Sequence, residues 1–571
     1  MKMKKKMRMK KVCILLLICV SMMITACGGG AGDQTQTQAQ TQAAAATTTT
    51  AAAATEAAAN AADETTAAAD NNAANDAAAA ETTTQAPATT AAESATTEAP
   101  YEFTLYGNIA AELLNGDKKF FEELSAQTNT KINVQLPPSS NYDESLTIMM
   151  AGGDYPELVL FPDHTNVVFM DGVRDGAVLA LNEYINNAPN IKQYSYDLSF
   201  QTLSVLGDGV IYGIPRTSIA RADGYVIRKD WLDNLNIPFE EGKPITLDEF
   251  RDILVAFTNN DPDGNGINDT YGLGQSTGDG NLYISAPIAW AYGLIGWQEY
   301  PNEDFKYMNL QYSKKSDNFK QALAYVADLL SNRLIDPDWP TVNTDTQNQR
   351  YSQGITGVRP EFVGWMPNML NDLHENAPDA ELAYIVAIVQ NDGDIGQGGS
   401  FSTGFWGQWC VMNTAKNPQK IVDVIDYMLS DEFWPIVNYG LEGVAWEYDN
   451  ANNRIAIPDS GYNGGRAIVR RNNAPEFFVG LNTAVEDRER IVNLINICIE
   501  QSIFSMDAGF RPATADDPAF IDANREYNVT ISKIIAGDLP LDAYDGALES
   551  WYAAGGQKWI EEMNEGIEAA N

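Results

Sequence analysis

The segment from Gly28 to about Pro100 constrains the folding of this chain more than any other feature. It consists of Ala, Thr, Gln, Asn and Glu with almost no large apolar residue. Such a segment cannot bury enough apolar surface to offset the conformational entropy that folding removes. We therefore interpret residues 28–100 as a disordered tether, which as a flexible coil of about 70 residues would span on the order of 45 Å.

The residues before the tether have the pattern of a secretory signal. The opening MKMKKKMRMKK is basic, and VCILLLICVSMMITAC is a short apolar run that ends at Cys27. The run is shorter than the ~20 residues that a membrane-spanning helix needs. The stretch ITAC with Gly28 after it resembles the lipobox of bacterial lipoproteins, whose cysteine is lipidated and becomes the mature N-terminus. This resemblance implies a signal peptide at 1–27 and a lipid, such as palmitate, on Cys27.

Charge and cysteine content bound the function classes. The chain carries a net charge of −40, and removal of residues 1–27 with their seven basic side chains leaves about −47. Such a surface repels nucleic acid and anionic lipid headgroups, so we expect no nucleic-acid partner and membrane attachment only through the N-terminal lipid. Beside Cys27, the mature chain has only Cys410 and Cys498, which are either a pair or two buried thiols.

The remainder, residues 101–571, is too long for one ordinary core and sufficient for two lobes. YEFTLYG at 101–107 predicts a strand, NGDKKFFEELSAQTN at 115–129 a helix, and KINVQL at 131–136 a second strand. Such βαβ alternation predicts a mainly parallel sheet. NPQKIVDVIDYMLSDEFW at 417–434 places apolar residues at helical spacing. The predicted fold class is α/β.

Seven short stretches follow one another along this body: TIMMAGGDYPELVLF (147–161), GVIYGIPR (209–216), YVIRKDWLDNLNIP (225–238), ITLDEF (245–250), DPDGNGINDTYGL (261–273), YGLEGVAWEYD (439–449) and ESWYAAGGQKWIEEMNE (549–565). In order and spacing they resemble the extracellular solute-binding proteins of family 1, in particular the large lipoproteins of ABC oligosaccharide importers. The individual stretches are short, and their collinear order carries the resemblance.

The resemblance implies a two-lobed, type II periplasmic-binding-protein-like fold with a hinge and an interlobe ligand cleft. We expect lobe 1 at about 101–214 plus 403–460, and lobe 2 at about 215–402 plus 461–571. It also implies a monomer on the extracellular face of the cell membrane that is not an enzyme. Such a protein captures an oligosaccharide or related small solute by lobe closure and delivers it to the permease subunits of an ABC transporter.

A sugar has apolar C–H faces and many hydroxyls, so its receptor needs flat aromatic platforms beside planar polar groups. The stretch GVRPEFVGWMPNML resembles the place where maltose-binding proteins present a stacking tryptophan, which implies that role for Trp365, with a core position as the alternative. Glu442 and Trp446 lie four apart and on a turn or short helix would share a face, as an acceptor beside a platform.

Further ligand-binding candidates come from the expected lobe crossings and strand ends. For Trp406 and Trp409, the alternative to a ligand contact is packing at the hinge. For the arginines it is a solvated position, and for Trp290 or Trp297 it is a position in the core. Asp163 follows a strand-like run, and the carboxyl ends of strands border the cleft in open α/β sheets. The candidates are Arg216, Arg221, Tyr225, Trp406, Asp163 and Trp290.

The loop DPDGNGINDTYG at 261–272 has the ligand spacing of a calcium-binding EF-hand loop, with Gly266 at the sharp turn. Position 12, where a sensor loop has glutamate, is Gly272, and no helix-like stretch follows. We therefore expect a structural calcium ion, with an unoccupied Asx-rich turn as the alternative. The expected ligands are Asp261, Asp263, Asn265, the carbonyl of Ile267, and Asp269.

Two other function classes are open to a secreted α/β protein. A glycoside hydrolase needs only two suitably spaced carboxylates, and the 77 acidic residues supply many pairs. No GxSxG, HExxH, CxxC or Walker A motif is present, and His164 and His374 lie far apart in the chain. A solute-binding protein is therefore preferred over a hydrolase or a carbohydrate-binding surface adhesin.

Overall fold

The computed structural model describes residues 98–570 except 208, 279, 400–402 and 482. The expected signal peptide 1–27, its Cys27 and the tether through residue 97 lie outside the described residues. None of the described helices combines the length and the apolarity that a membrane crossing requires.

The described residues form strands of two to seven residues. They are β1 (Tyr101–Tyr106), β2 (Thr130–Gln135), β3 (Leu158–Phe161), β4 (Ile214–Thr217), β5 (Gly224–Arg228), β6 (Ile245–Thr246), β7 (Tyr271–Leu273), β8 (Trp297–Glu299), β9 (Tyr307–Asn309), β10 (Thr356–Glu361), β11 (Leu382–Ile385), β12 (Ile388–Val389), β13 (Gly398–Gly399), β14 (Phe405–Val411), β15 (Trp446–Tyr448), β16 (Arg454–Ala456) and β17 (Ser502–Ile503).

Helices lie between and after these strands. They are α1 (Asn115–Thr128), α2 (Tyr142–Gly152), α3 (Val167–Arg174), α4 (Asn182–Asn186), α5 (Pro189–Gln193), α6 (Asp197–Thr202), α7 (Lys229–Asn234), α8 (Leu247–Asn259), α9 (Ala286–Ala291), α10 (Asn318–Ser331), α11 (Thr344–Ser352), α12 (Met366–His374), α13 (Pro418–Met428), α14 (Trp434–Tyr439), α15 (Gly464–Ile468), α16 (Val485–Glu500), α17 (Pro518–Ala536), α18 (Ala543–Trp551) and α19 (Gln557–Ala570). The predicted β1–α1–β2 unit, the helix α13 and the α/β class are confirmed.

The first sheet has the strand order β2-β1-β3-β14-β4, with β1, β2 and β3 parallel and β14 antiparallel to β3 and β4. Its central strand β3 is buried on both faces. Leu158 and Leu160 pack into one core, while Val159 and Phe161 pack into another. Because side chains alternate along a strand, the continuous apolar run LVLF suits a sheet covered by helices on both sides.

The second sheet has the order β11-β5-β10-β7, and β5 runs antiparallel to both neighbours. Tyr225 and Ile227 of β5 pack into one core and Val226 into the other. The prediction of a mainly parallel sheet was wrong, because both sheets are mixed. In the first sheet the antiparallel strand is β14, which enters after the chain has passed through the second sheet.

We call each sheet with its covering helices a lobe. The described residues place three passages between the lobes: between β4 and β5, between β13 and β14, and between Phe478 and α16. The expected boundary at residue 461 differs from the packing, because Ala467, Ile468 and Phe477 belong to the core of the first lobe. The sequence in this region contains no long strand that would have marked the later crossing.

Candidate functional site

A cavity of about 770 Å³ lies between the two lobes. The first lobe contributes Leu160 of β3, Arg216 of β4 and Trp406 of β14, and the second contributes Phe362 and Trp365 after β10. A volume of ~300–1,000 Å³ is typical of small-molecule sites, which commonly form where two domains meet. The cavity is therefore the candidate ligand-binding site.

Trp365 and Trp406 are the two exposed tryptophans on this cavity, at 55% and 49% exposure. Trp365 ends the short 3₁₀ turn Val363–Trp365 and immediately precedes α12. Its exposure excludes the core position that the sequence left open. Its apolar face is free for packing against a ligand that occupies the cavity.

The position of Trp406 depends on an irregularity in β14. The register of β14 against β4 shifts between Phe405 and Gln408, and Gly407 has φ +75°, a conformation that favours glycine. Such a bulge changes the direction of the side chains around it. Trp406 therefore lines the cavity, whereas Trp409 is fully buried and its indole N–H donates to the carbonyl oxygen of Ile468 at 2.9 Å.

Arg216 and Arg221, two of the predicted ligand-binding residues, line the cavity. Burial lowers the pKa of Arg216 to about 10. The guanidinium of Arg221 lies 3.8 Å from the ring centroid of Phe362, and its Nε donates to Asp223 Oδ1 at 2.8 Å. Arg216 lies on β4, which leads into the first lobe crossing, and Arg221 lies within that crossing.

Two further arginines of the cavity wall, Arg466 and Arg470, were missed by the sequence analysis. They lie in NGGRAIVRR, at and just after the short helix α15. Gly465 packs closely there, since a Cβ on it would lie 2.5 Å from the Tyr462 hydroxyl. Gly464 and Gly465 before these arginines are only a weak sequence signal of a binding site. Nothing in the sequence shows which arginine faces the cleft.

The proposed ligand contact by Tyr225 was wrong. Tyr225 is fully buried in the second lobe, where its hydroxyl hydrogen-bonds to the Ser285 hydroxyl at 2.5 Å and its ring stacks on Phe250. The physical reason is the alternation of β5, which is covered on both faces. Tyr225 therefore points into the lobe rather than toward the cleft.

The predicted pair of Glu442 and Trp446 does not form a sugar platform. Trp446 is buried, its indole N–H donates to the carbonyl oxygen of Gly440 at 3.0 Å, and its ring lies 4.9 Å from the guanidinium of Arg454. Glu442 is exposed, and neither residue is among those that line the cavity. The turn between them directs the indole inward.

Asp163 and Trp290 are also not among the residues that line the cavity. The exposed carboxylate of Asp163 accepts hydrogen bonds from the amide and hydroxyl of Thr165 at the end of β3. Trp290 packs against β13, where a Cβ on Gly398 would lie 2.6 Å from the indole ring. These side chains support a turn and a lobe connection respectively.

The predicted calcium loop is compact and lies outside the cavity wall. Asp261 accepts hydrogen bonds from the backbone N–H groups of Asn265 and Gly266 at 3.0 and 2.9 Å. The Asn265 side-chain amide donates to Asp263 Oδ2 and Asp269 Oδ1 at 2.8 and 3.2 Å. Burial and the neighbouring carboxylates of Asp261 and Asp269 raise the pKa of Asp263.

The loop has the hard oxygen donors that calcium prefers, including the carbonyl of Ile267, which the sequence placed at position 7. Its carboxylates nevertheless accept hydrogen bonds from the Asn265 side chain and from backbone N–H groups. In the described part of the chain, no three His, Cys, Asp or Glu side chains lie close enough together to hold a metal ion. Position 12 excludes a side chain, because a Cβ on Gly272 would lie 2.7 Å from Leu254. Strand β7, rather than a helix, follows the loop.

The cysteines and histidines have structural positions. Cys410 and Cys498 are free and buried in different cores, and burial raises the pKa of Cys498 to about 12. His164 Nε2 hydrogen-bonds to the carbonyl oxygen of Gly509, and His374 Nε2 to that of Ala380. The disulfide alternative is therefore not realised.

Comparison with known proteins agrees with this architecture. The polygalacturonan/rhamnogalacturonan-binding protein YtcQ of Bacillus subtilis (strain 168) is 25% identical over 467 residues, which cover 79% of this chain and 88% of YtcQ. Alginate-binding protein AlgQ2, solved without calcium ion, has a TM-score of 0.57 at 18% identity and covers 83% of this chain and 99% of its own. An EF-hand mutant of FusA from Streptococcus pneumoniae in complex with fructo-nystose has a TM-score of 0.56 at 19% identity, with coverages of 82% and 99%.

These structures confirm the two-lobed, type II periplasmic-binding-protein-like fold. The sequence also matches the family of the bacterial extracellular solute-binding proteins over residues 110–433. This match covers more than half of the 571 residues. The chain belongs to the bacterial extracellular solute-binding protein family.

Proposed function

We propose that this protein binds a carbohydrate, an oligosaccharide, between its lobes and delivers it to the permease subunits of an ABC importer. The observation that carries the proposal is the 770 Å³ interlobe cavity, onto which Trp365 and Trp406 present half-exposed indoles. Exposed aromatic surface inside a cavity is typical of a ligand-binding site. Sugars bind to indole rings through their apolar C–H faces.

The arrangement of the two indoles supports closure around the ligand. Trp406 belongs to the first lobe and Trp365 to the second. A ligand held by both would gain contacts when the lobes approach, so binding would favour the closed state. The importer would then recognise the closed form. YtcQ, named for polygalacturonan and rhamnogalacturonan binding, is a relative whose ligands are also saccharides.

The location follows from the N-terminal pattern. The lipobox-like ITAC ending at Cys27 supports a lipoprotein held at the extracellular face of the membrane by its lipid, with 28–100 as the tether. We propose a monomer, with the lobe crossings of the described structure as lobe boundaries. A tethered receptor remains near the permease while its lobes open and close.

A binding role is preferred over glycoside hydrolysis for a reason visible at the cavity. Asp459 is the one carboxylate residue among the described residues that line it. Hydrolysis of a glycosidic bond ordinarily requires two carboxyl groups, about 5 to 10 Å apart, on either side of the bond. A surface adhesin would not need a site between two lobes.

We also propose a structural calcium ion in loop 261–269. Its donors would be the carboxylates of Asp261, Asp263 and Asp269, the Asn265 side-chain oxygen and the Ile267 carbonyl. The hydrogen bonds from Asn265 that connect Asp263 with Asp269 support the proposal, because the ion would replace them with direct oxygen ligation. The FusA neighbour is described as an EF-hand mutant, so a relative of this fold has such a loop.

The function is tested by incubating the mature protein with neutral and acidic oligosaccharides. We expect saturable binding in calorimetry and a thermal shift, since a ligand at 100 times Kd adds about 2.7 kcal/mol to the free energy of unfolding. The glycan is recovered and analysed afterwards. New reducing ends would assign the protein to the hydrolases, and the absence of binding across the panel would contradict a saccharide receptor.

A further inference from the structure

Four arginines line the interlobe cavity of a chain that is strongly acidic overall. They are Arg216, Arg221, Arg466 and Arg470, and Asp459 is the one acidic residue among the described residues on the same wall. The whole sequence has 77 acidic and 37 basic residues. The sign of the cavity is therefore opposite to that of the molecule.

Two of these arginines have identifiable hydrogen-bond partners, and only one of the two is paired with an opposite charge among the described residues. Arg221 pairs with Asp223 at 2.8 Å, so its charge is balanced beside the cavity. Arg466 donates to the backbone and side-chain oxygens of Asn438 and to the carbonyl oxygen of Phe477. These acceptors are uncharged, so they hold the Arg466 guanidinium in place without neutralising it.

The other two arginines have a polar atom without a partner. The Nε atoms of Arg216 and Arg470 are buried and, among the described residues, no group accepts a hydrogen bond from either of them. Burial, together with the positive charges of Arg216, Arg221 and Arg466, lowers the pKa of Arg470 to about 9. A buried donor without an acceptor and a cluster of like charges both cost free energy in the ligand-free protein.

An anion in the cavity would remove both costs. A neutral saccharide could accept hydrogen bonds from guanidinium groups, but it would bury the like charges further without compensating them. A carboxylate matches the planar fork of arginine and can accept two parallel N–H bonds. The adjoining indoles of Trp365 and Trp406 provide the apolar platforms for the sugar rings.

Resting on the proposed function, we infer that the cavity selects a carboxylate-bearing oligosaccharide, one that contains uronic acid residues. Arg216, Arg466 and Arg470 are the specificity-determining side chains. The ligand carboxylate faces this arginine cluster, while neighbouring rings lie against the indoles.

The test compares trisaccharides of galacturonate, glucuronate and mannuronate with their carboxyl-reduced counterparts, which have the same length and linkage. In calorimetry at low salt we expect at least one acid to bind about tenfold or more tightly than its reduced partner, a difference of about 1.4 kcal/mol per factor of ten. The difference should shrink as NaCl is raised, because salt screens charge attraction. A sulfated trisaccharide serves as the comparison for a non-planar anion.

The outcomes separate the inference from the proposed function. If neutral or reduced saccharides bind as well as the acids, or if only the sulfated sugar binds, selection of carboxylate is overturned and a saccharide receptor remains. If no member of a wider neutral and acidic panel binds, both proposals fail.

Arg470→Gln provides the matched variant, with Arg525→Gln as the control, because Arg525 is exposed and pairs with Asp522 away from the cavity. We expect Arg470→Gln to weaken binding of the acidic trisaccharide about tenfold or more, with little change for its reduced partner, and Arg525→Gln to change neither. Arg470→Lys retains the charge and should be intermediate. Equal losses of affinity for the acidic and the reduced trisaccharide would overturn the specificity role of Arg470. If all Arg470 variants unfold, the salt dependence of binding to the wild type decides.

Discussion

The guanidinium of Arg221 lies 3.8 Å from the ring centroid of Phe362, a contact that joins the first lobe crossing to the turn that carries Trp365. The arginine is thereby held against an aromatic side chain while Asp223 accepts from its Nε. Cation–π contact and ion pairing at one buried side chain fix its orientation. Arg221 is therefore held in one orientation on the cavity wall, beside the first lobe crossing.

Trp406 and Trp409 lie three residues apart and should respond differently to removal of the indole. Trp406→Ala should weaken ligand binding by more than about 1 kcal/mol with little loss of stability, because its ring is half exposed on the cavity. Trp409→Ala should cost about 3–5 kcal/mol of unfolding free energy, because the ring is fully buried. Calorimetry and urea unfolding of both variants check this. Unchanged affinity in Trp406→Ala would remove that residue from the site.

Trp446→Phe tests the corrected position of that residue. The change keeps an aromatic ring but removes the N–H that donates to Gly440, so we expect a loss of about 1–3 kcal/mol in unfolding free energy and unchanged ligand affinity. Glu442→Ala, on the exposed side of the turn, should change neither quantity. Weaker ligand binding at unchanged melting temperature in Trp446→Phe would restore the sugar-platform interpretation.

These contrasts show how far the sequence determines the site. The alternation of α1 and its flanking strands was readable because apolar periodicity is local. The direction of Trp406 was not, since it depends on a bulge and on pairing with β4, nearly 200 residues earlier in the chain. Tyr225 was misassigned because β5 is apolar on both faces, which leaves no polar side to mark the cleft.

The arginines follow the same division. Arg216 and Arg221 were found because they accompany the first lobe crossing, which the resemblance located. Arg466 and Arg470 belong to a segment that packs on the first lobe although the sequence assigned it to the second. Tertiary packing places them on the same cavity wall as Arg216, and no spacing rule in the sequence predicts that placement.

Tyr312 should make the protein sensitive to alkali. Burial raises its pKa to about 12, above the value of about 10 in an unfolded chain, so the folded state favours the neutral phenol. The free energy of unfolding is unaffected by this group below pH 10 and falls as pH rises from 10 toward 12. At pH 11 the loss is about 1.4 kcal/mol. Urea unfolding of wild type and Tyr312→Phe at pH 9 and 11 checks it. A wild-type loss no greater than that of Tyr312→Phe would contradict the assignment.

Cys27→Ser tests the anchor. If the lipid on Cys27 is the only attachment, the variant should be secreted, folded and able to bind ligand, but absent from washed membranes. Fractionation followed by immunoblotting measures this, with the wild type as reference. Cys498→Ser is unsuitable as a control because that thiol is buried. A conservative substitution in the tether, Thr84→Ser, is the preferred control. Continued membrane partitioning of Cys27→Ser would refute the lipobox interpretation.

Calcium removal should affect loop 261–269 more than the ligand cavity, which its residues do not line. Without a cation, three aspartates surround Asn265, and their mutual repulsion opposes the folded loop. The free energy of unfolding should rise by about 1.4 kcal/mol for each tenfold increase in free calcium above Kd, with Kd on the order of 10⁻⁴ to 10⁻³ M, and magnesium should substitute poorly.

Melting temperatures in chelator and in millimolar calcium, for wild type, Asp263→Ala and Asp379→Ala, measure the effect. Asp379 is an exposed aspartate outside the loop, so its substitution removes the same charge without removing a ligand. Asp263→Ala should flatten the calcium response, whereas Asp379→Ala should retain it. Affinity for the saccharide should be similar in both buffers, because the ion would hold a loop whose residues do not line the cavity. Equal wild-type melting temperatures after confirmed metal removal would leave this segment as an Asx-rich turn, held by the hydrogen bonds between Asn265 and its neighbouring aspartates.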